Sequence, residues 1–228
     1  MAKANSGGNH LMNKTPCVAV TISRQLGAGG VYVGQQLAKK LDFFYADREI
    51  IREAAKKLSV LEEAVESREE KIGSFWKSFL RPYTVGMADA YVPPKANIPT
   101  TRELFEAETH VIKRIAMESS AIIIGRCGSH ILQEHPNHIG IFLHADTGFR
   151  KKRIAAFYSM SEEAAEKMIV RSDKERALYH RTFTGGHWTD AMRYDLTLDT
   201  GKIGFDQSVD IILKYIETCQ RNMLQLQE

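Results

Sequence analysis

The feature that most constrains this chain is a stretch near its start whose residue pattern changes twice. Residues 18–23 are mostly apolar and β-branched, glycines follow at Gly27, Gly29 and Gly30, and helical spacing resumes at Gly34. This order predicts a strand, a loop and a helix. Glycines let the backbone turn sharply and approach a ligand, and a helix N-terminus presents N–H groups and a positive dipole end. The stretch therefore predicts a phosphate-binding loop, with a plain tight turn as the alternative.

The loop departs from the P-loop signature G-x-x-x-x-G-K-[ST], in which the lysine reaches the outer phosphates and the hydroxyl binds Mg²⁺. When Gly29 is set on the second glycine of the signature, Arg24 stands at the first. Gly30 then replaces the lysine and Val31 replaces the hydroxyl residue. The candidate residues for binding phosphate and ATP are Ser23, Arg24, Gly27, Ala28, Gly29, Gly30 and Val31.

Length and charge limit the classes of protein to consider. The chain has 228 residues and a formal net charge of +3, which fits one α/β domain and predicts no general affinity for nucleic acid or membranes. No apolar run approaches the roughly 20 residues that span a bilayer, and the first residues lack a signal peptide's apolar core, so we expect a cytoplasmic protein. Residues 1–14 are small and polar and are predicted to be a disordered tail before a single domain over 15–228.

Alternating strand and helix patterns predict the architecture. Apolar runs near 43–46, 121–125, 138–144 and 194–200 alternate with helical segments. This pattern predicts a three-layer α/β fold, with a parallel sheet of about five strands and helices on both faces. Two segments interrupt it, a helical insertion at about 59–110 and a basic segment at about 158–187, and we expect both to act as mobile flaps.

Two charged residues follow predicted strands. Asp47 comes after the second strand, and Arg126 comes after Gly125 at the end of the third. Open α/β sheets bind ligands at the carboxyl ends of their strands, so both residues are candidates for substrate contact. Capping of the next helix is the alternative for Asp47.

The predicted insertion carries an aromatic cluster. A small core or a dimer surface is the simplest interpretation, which leaves a homodimer possible, and stacking on a nucleobase is the minority one. The members of the cluster are Phe75, Trp76, Phe79 and Tyr83.

Taken together, these pieces resemble the cytidylate kinase-like family of the P-loop nucleoside monophosphate kinases. The resemblance runs from about Cys17 to Cys219. The segments that carry it are 21–24, 27–30, 45–49, 124–128, 142–143, 173–179 and 194–200.

The resemblance implies a P-loop kinase fold with an acceptor-binding insertion and a lid, and transfer of the ATP γ-phosphoryl group, with Mg²⁺, to CMP or dCMP. By the same resemblance, Asp47 and Arg48 lie at the monophosphate site and Arg126 contacts the acceptor. Arg171 and Arg176 match lid arginines that close on the phosphates, so the implied catalytic residues are Arg126, Arg171 and Arg176. Cytidylate kinases carry lysine at the position of Gly30 and aspartate at the position of Cys127, and this chain departs from both.

Two hypotheses follow. In the first, the chain is a kinase in which converging arginines replace the missing lysine as phosphate clamps. The arginines concerned are Arg24, Arg126, Arg153, Arg171 and Arg176, for most of which a surface ion pair is the alternative. In the second, the chain binds a nucleotide or phosphorylated metabolite without turnover. The metal ligands stay unassigned, with Ser23 or Tyr32 as substitutes for the missing hydroxyl.

Overall fold

A parallel sheet forms the centre of the computed structural model, which describes residues 17–63 and 102–225. The strands are β1 (Ala19–Arg24), β2 (Phe44–Ala46), β3 (Ala121–Ile124), β4 (His138–His144) and β5 (Leu196–Asp199). They lie in the order β2-β3-β1-β4-β5, and every neighbouring pair is parallel. The predicted α/β class with a parallel sheet of five strands is confirmed.

Helices connect the strands. They are α1 (Gly30–Leu41), α2 (Arg48–Glu63), α3 (Arg102–Glu118), α4 (Gly128–Ile131), α5 (Thr147–Tyr158), α6 (Glu162–Thr184), α7 (Thr200–Ile203) and α8 (Phe205–Gln225), with a 3₁₀ turn at Ala191–Arg193. Within residues 17–63 and 102–225, no helix combines the length and the apolar character needed to cross a membrane.

The core lies on both faces of the sheet, as the uninterrupted apolar strands predict. Val20 and Ile22 of β1 pack with α1 and α8 on one face. Ala19 of β1 and Ile123 of β3 pack with α2 and α3 on the other. Because alternate residues of one strand enter opposite clusters, the sheet is the middle of three layers.

Several sequence-based expectations concern residues outside the described ranges. They are the disordered tail at 1–14, most of the insertion at 59–110, and the aromatic residues Phe75, Trp76, Phe79 and Tyr83. These stay predictions. The basic segment at 158–187 lies within the described residues and consists largely of α6.

We expect a histidine at the start of β4 to make folding depend on pH. Nε2 of His138 lies 2.7 Å from Oγ1 of Thr21 on β1, and burial lowers the pKa of His138 to about 4 from its ordinary 6.5. Between about pH 4 and 6.5, the His138 imidazole is therefore protonated in the unfolded chain and neutral in the folded chain. The stability that this group contributes is complete above pH 6.5 and declines by about 3 kcal/mol as the pH falls toward 4.

Urea unfolding at pH 4.5 and 7.5 tests this expectation. His138→Gln should reduce the difference in unfolding free energy between the two pH values, whereas the same substitution at the exposed His187 should leave it unchanged. An equal difference in the wild type and in His138→Gln would contradict the assignment.

Candidate active site

The glycine loop joins β1 to α1 and turns through left-handed backbone conformations. Gly27 has φ +86° and Gly29 has φ +73°, values that glycine adopts without a steric cost. Gly29 is the N-cap of α1 and, having no side chain, makes no side-chain capping hydrogen bond. The first turn of this twelve-residue helix therefore has N–H groups and a positive dipole end that suit an anion.

A buried guanidinium fixes the loop from behind. Nε of Arg150 donates to the carbonyl of Ala145 over 3.0 Å, and its Nη1 donates to the carbonyl of Leu26 over 3.2 Å. The same Nη1 donates over 2.6 Å to Oδ2 of Asp173 on α6. The other carboxylate oxygen, Oδ1, accepts from the Leu26 amide over 2.9 Å. The loop is thereby tied to both α5 and α6.

A groove opens in front of the loop, with a cavity of about 70 Å³. Three of the five predicted clamp residues, Arg24, Arg153 and Arg176, line it together with loop residues. Nη1 of Arg176 donates to the carbonyl of Arg24 over 2.9 Å. The Arg153 guanidinium lies over the Phe205 ring, 4.3 Å from its centroid. These three arginines therefore lie together at the groove, and their action as phosphate clamps stays a prediction.

The other two predicted clamp residues lie elsewhere. Arg171 is on the exposed face of α6, where its Nε donates over 2.8 Å to Oε1 of Glu175. With 65% of its side chain exposed, it makes the surface ion pair that was its alternative. Arg126 lies after β3, in a second cluster beside the loop.

The second cluster is built around a buried ion pair. Arg126 has φ +53°, and its guanidinium binds Oε2 of Glu108 on α3, whose side chain is fully buried. Tyr179 of α6 donates to the same oxygen over 3.3 Å, and its ring lies 4.3 Å below the Arg126 guanidinium. Burial lowers the pKa of Arg126 to about 10, so the side chain stays charged at neutral pH.

Two further arginines make this cluster positive. Arg48 and Arg52 lie close enough to add to the lowering of the pKa of Arg126. Asp47 caps α2, because its Oδ1 accepts from the amides of Glu49 and Ile50 over 3.0 and 3.1 Å. The capping alternative for Asp47 is thus observed, and contact with a ligand stays a prediction.

Some buried polar atoms of the cluster have no hydrogen-bond partner in the described part of the chain. They are Nε of Arg48, Nε of Arg126 and Oε1 of Glu108. Native structures rarely leave such atoms unsatisfied. Arg48 and Arg126 follow the carboxyl ends of β2 and β3, and Glu108 of α3 pairs with Arg126, so the group suits a polar ligand.

An aromatic trio flanks the second cluster. The rings of Phe105 and Phe183 stack with centroids 4.2 Å apart, and the Tyr179 ring lies 4.9 Å from that of Phe183. These half-buried rings offer a surface on which a flat heterocycle can pack. Sequence reasoning placed a stacking surface on the cluster around Phe75 and Trp76 and missed this one.

Sequence reasoning also missed Glu108 and the anchoring role of Arg150. Glu108 lies three residues before Val111 and four before Ile112, on the apolar stripe of α3. A lone charge on an apolar stripe is the signal that could have identified it, because a buried charge requires a partner. Arg150 had no comparable signal, since it follows Asp146 in an ordinary basic helix.

The described residues do not form a ready magnesium site. They contain no group of three or more His, Cys, Asp or Glu residues placed to hold a metal ion. The Tyr32 hydroxyl, one of two suggested ligands, donates to Oδ1 of Asp206 over 2.6 Å. Magnesium often keeps several waters and binds phosphate oxygens, so an ion carried in with a nucleotide is compatible with this arrangement.

Comparisons with known proteins agree with the fold. A sequence model that describes the cytidylate kinase-like family matches residues 19–202 of this chain. A search of curated proteins finds no match.

Two solved structures illustrate the likeness. An uncharacterized protein from Eubacterium ventriosum is 24% identical, with 88% of this chain and 98% of that chain covered and a TM-score of 0.66. A gluconokinase from Sinorhizobium meliloti is 11% identical, with 94% and 100% covered and a TM-score of 0.51. At these identities the likeness shows the fold alone.

We expect Gly29→Ala to destabilise the folded protein. A Cβ at Gly29 would meet the Phe205 ring, and the backbone there is left-handed. The free energy of unfolding should fall by about 2–4 kcal/mol, which adds a packing cost to the backbone cost. Gly185→Ala is the matched control, because Gly185 has φ +70° and open space around it. It should lose only about 1 kcal/mol, and an equal loss in the two variants would contradict the packing argument.

The buried ion pair should show strong coupling. Arg126→Met or Glu108→Leu alone leaves one buried charge, at a cost of about 3–5 kcal/mol in unfolding free energy. The double variant removes both charges and should lose clearly less than the sum. Glu118→Leu, which breaks the half-exposed pair with Arg114, should lose about 1 kcal/mol or less. Additive losses at Arg126 and Glu108 would show that the pair is not coupled.

Proposed function

The chain belongs to the cytidylate kinase-like family, and from this membership we propose that it transfers the γ-phosphoryl group of ATP to a small phosphate acceptor. The acceptor that the family suggests is a nucleoside monophosphate such as CMP or dCMP. The proposed reaction needs two phosphate-binding regions at one edge of the sheet, since donor and acceptor oxygens must lie in line with the transferred group.

The observation that carries this proposal is the pair of arginine clusters on either side of Gly125. On the donor side, Arg24, Arg153 and Arg176 line the groove in front of the glycine loop. On the acceptor side, Arg48, Arg52 and Arg126 are grouped at the ends of β2 and β3. Glu108 and Asp47 offset only part of the acceptor cluster's charge, which favours a phosphate monoester carrying up to two negative charges.

The proposed mechanism depends on position and charge. The first turn of α1 and the donor arginines would hold the ATP phosphates, while Arg126 and Arg48 orient the acceptor phosphate. Arginine forks bind phosphate oxygens through paired hydrogen bonds and stabilise charge on the transferring group. Phosphoryl transfer requires little covalent chemistry from the protein. Arg171 keeps its lid role only as a prediction.

Other parts of the proposal rest on the sequence. ATP is proposed to enter with Mg²⁺, the insertion at 59–110 to cover the acceptor, and the segment at 158–187 to act as a lid. A cytoplasmic location and a homodimer stay predictions.

A non-catalytic nucleotide- or phosphometabolite-binding protein is the second candidate. The observation that favours it is the loop itself, because Gly30 and Val31 stand where a P-loop has its lysine and hydroxyl. Such a protein needs affinity for phosphate without stabilising a transition state.

Turnover separates the two candidates. The purified full chain, incubated with MgATP and a panel of nucleoside monophosphates that includes CMP, dCMP and UMP, should release ADP with at least one acceptor. The Glu108→Leu/Arg126→Met variant should stay folded in thermal unfolding yet lose about 100-fold or more in turnover, the scale expected when charge stabilisation is removed. Glu118→Leu should turn over like the wild type.

Calorimetric titration with ATP and CMP completes the test. Binding of both without ADP release would overturn the kinase proposal in favour of the binding protein. Binding of neither would remove both proposals and leave the fold.

A further inference from the structure

We propose that Arg24 takes the place of the phosphate-binding lysine that this loop lacks, an inference that rests on the proposed binding of ATP. Its guanidinium would bind the outer phosphates of the nucleotide. The side chain comes from the end of β1, whereas a P-loop lysine comes from the start of the helix. The positive charge would thus occupy the place of the P-loop lysine ammonium, but on a side chain from the strand before the loop.

The first support comes from Gly30, which stands at the lysine position. A Cβ built on Gly30 would lie 2.5 Å from Cγ and 2.9 Å from Cβ of Arg24. The backbone of Gly30 is outside the left-handed region, so its conformation does not require glycine. The stem of Arg24 therefore fills the space into which a lysine at position 30 would start.

The second support comes from Gly125, at the end of β3. The left-handed backbone of Gly125 (φ +74°) favours glycine by itself, and the guanidinium end of Arg24 lies where a Cβ would stand, its Nη1 being the nearest atom. Two glycines from separate elements thus accommodate one arginine, Gly30 beside its stem and Gly125 beside its guanidinium. This places the charged end between the loop and Arg126, where the donor and acceptor phosphates of an in-line transfer would meet.

The start of the side chain is held in position. The Arg24 carbonyl accepts a hydrogen bond from Arg176 over 2.9 Å, and Arg24 lines the groove in front of the loop. A lysine ammonium acts as a point charge, whereas a guanidinium offers five donors in a rigid fork that matches phosphate oxygens. The exchange therefore keeps the positive charge and adds directional hydrogen bonds.

A residue exchange tests the proposal through the dissociation constant of MgATP, measured by calorimetry. Arg24→Ala should weaken binding about 10- to 100-fold, the range for losing hydrogen bonds to a charged group. Arg24→Ala/Gly30→Lys should recover most of the loss, because the space vacated by Arg24 can then hold a lysine. Gly30→Lys alone should give no gain, since its Cβ meets Arg24.

The control is Arg221→Ala, which removes one arginine from an exposed position about 24 Å along α8 from Phe205. It should bind MgATP like the wild type. Thermal unfolding without nucleotide should show that all variants are folded.

The outcomes separate this inference from the proposed function. If the wild type does not bind MgATP, both fail. If the wild type binds and Arg24→Ala binds equally well, the inference fails and the proposed function stands. If Arg24→Ala weakens binding and Gly30→Lys does not restore it, Arg24 acts in some way other than as a lysine substitute, and the inference is overturned.

Discussion

The geometry of the candidate site depends on one buried side chain, Arg150. A guanidinium removed from water needs partners for its N–H groups, and it finds them in three separate places: the carbonyl after β4 at Ala145, the loop carbonyl of Leu26, and Asp173 of α6. Because the same carboxylate accepts from the Leu26 amide, the loop is held by both of its polar backbone groups. A glycine-containing loop is flexible by itself, and here an internal ion pair gives it one shape.

Helix α6 connects this arrangement to the second cluster. Asp173, Arg176, Tyr179 and Phe183 fall within about 120° of the helix circumference and span about 15 Å along its axis. The first two contact the loop region, and the last two contact Arg126 or Phe105. One rigid element therefore contacts both halves of the candidate site. A displacement of α6 as a rigid body would therefore move Asp173 and the Tyr179 ring together.

The fold and part of the candidate site could be predicted from the sequence, whereas the rest of the candidate site could not. The apolar strands and the glycines after β1 are local patterns, so strand order along the chain and the loop could be predicted. The partners of Arg126 and Arg150 come from elements far away in the sequence, so no local pattern contains them. Arg171 and Arg176 show this limit most clearly. They are five residues apart, which is about 140° around a helix, and only packing decides that Arg176 meets the loop while Arg171 meets solvent.

The loop glycines have a packing role that the P-loop signature does not describe. Side chains of the protein itself pack against Gly27, Gly29 and Gly30, namely those of Arg150, Phe205 and Arg24. The glycine pattern therefore reports internal packing, and by itself it is weak support for a ligand. The stronger support is the result of that packing, which holds charged side chains at the groove before any ligand arrives. Side chains that are already ordered lose less entropy when they bind, so fixed arginines are a physically reasonable alternative to a mobile lysine.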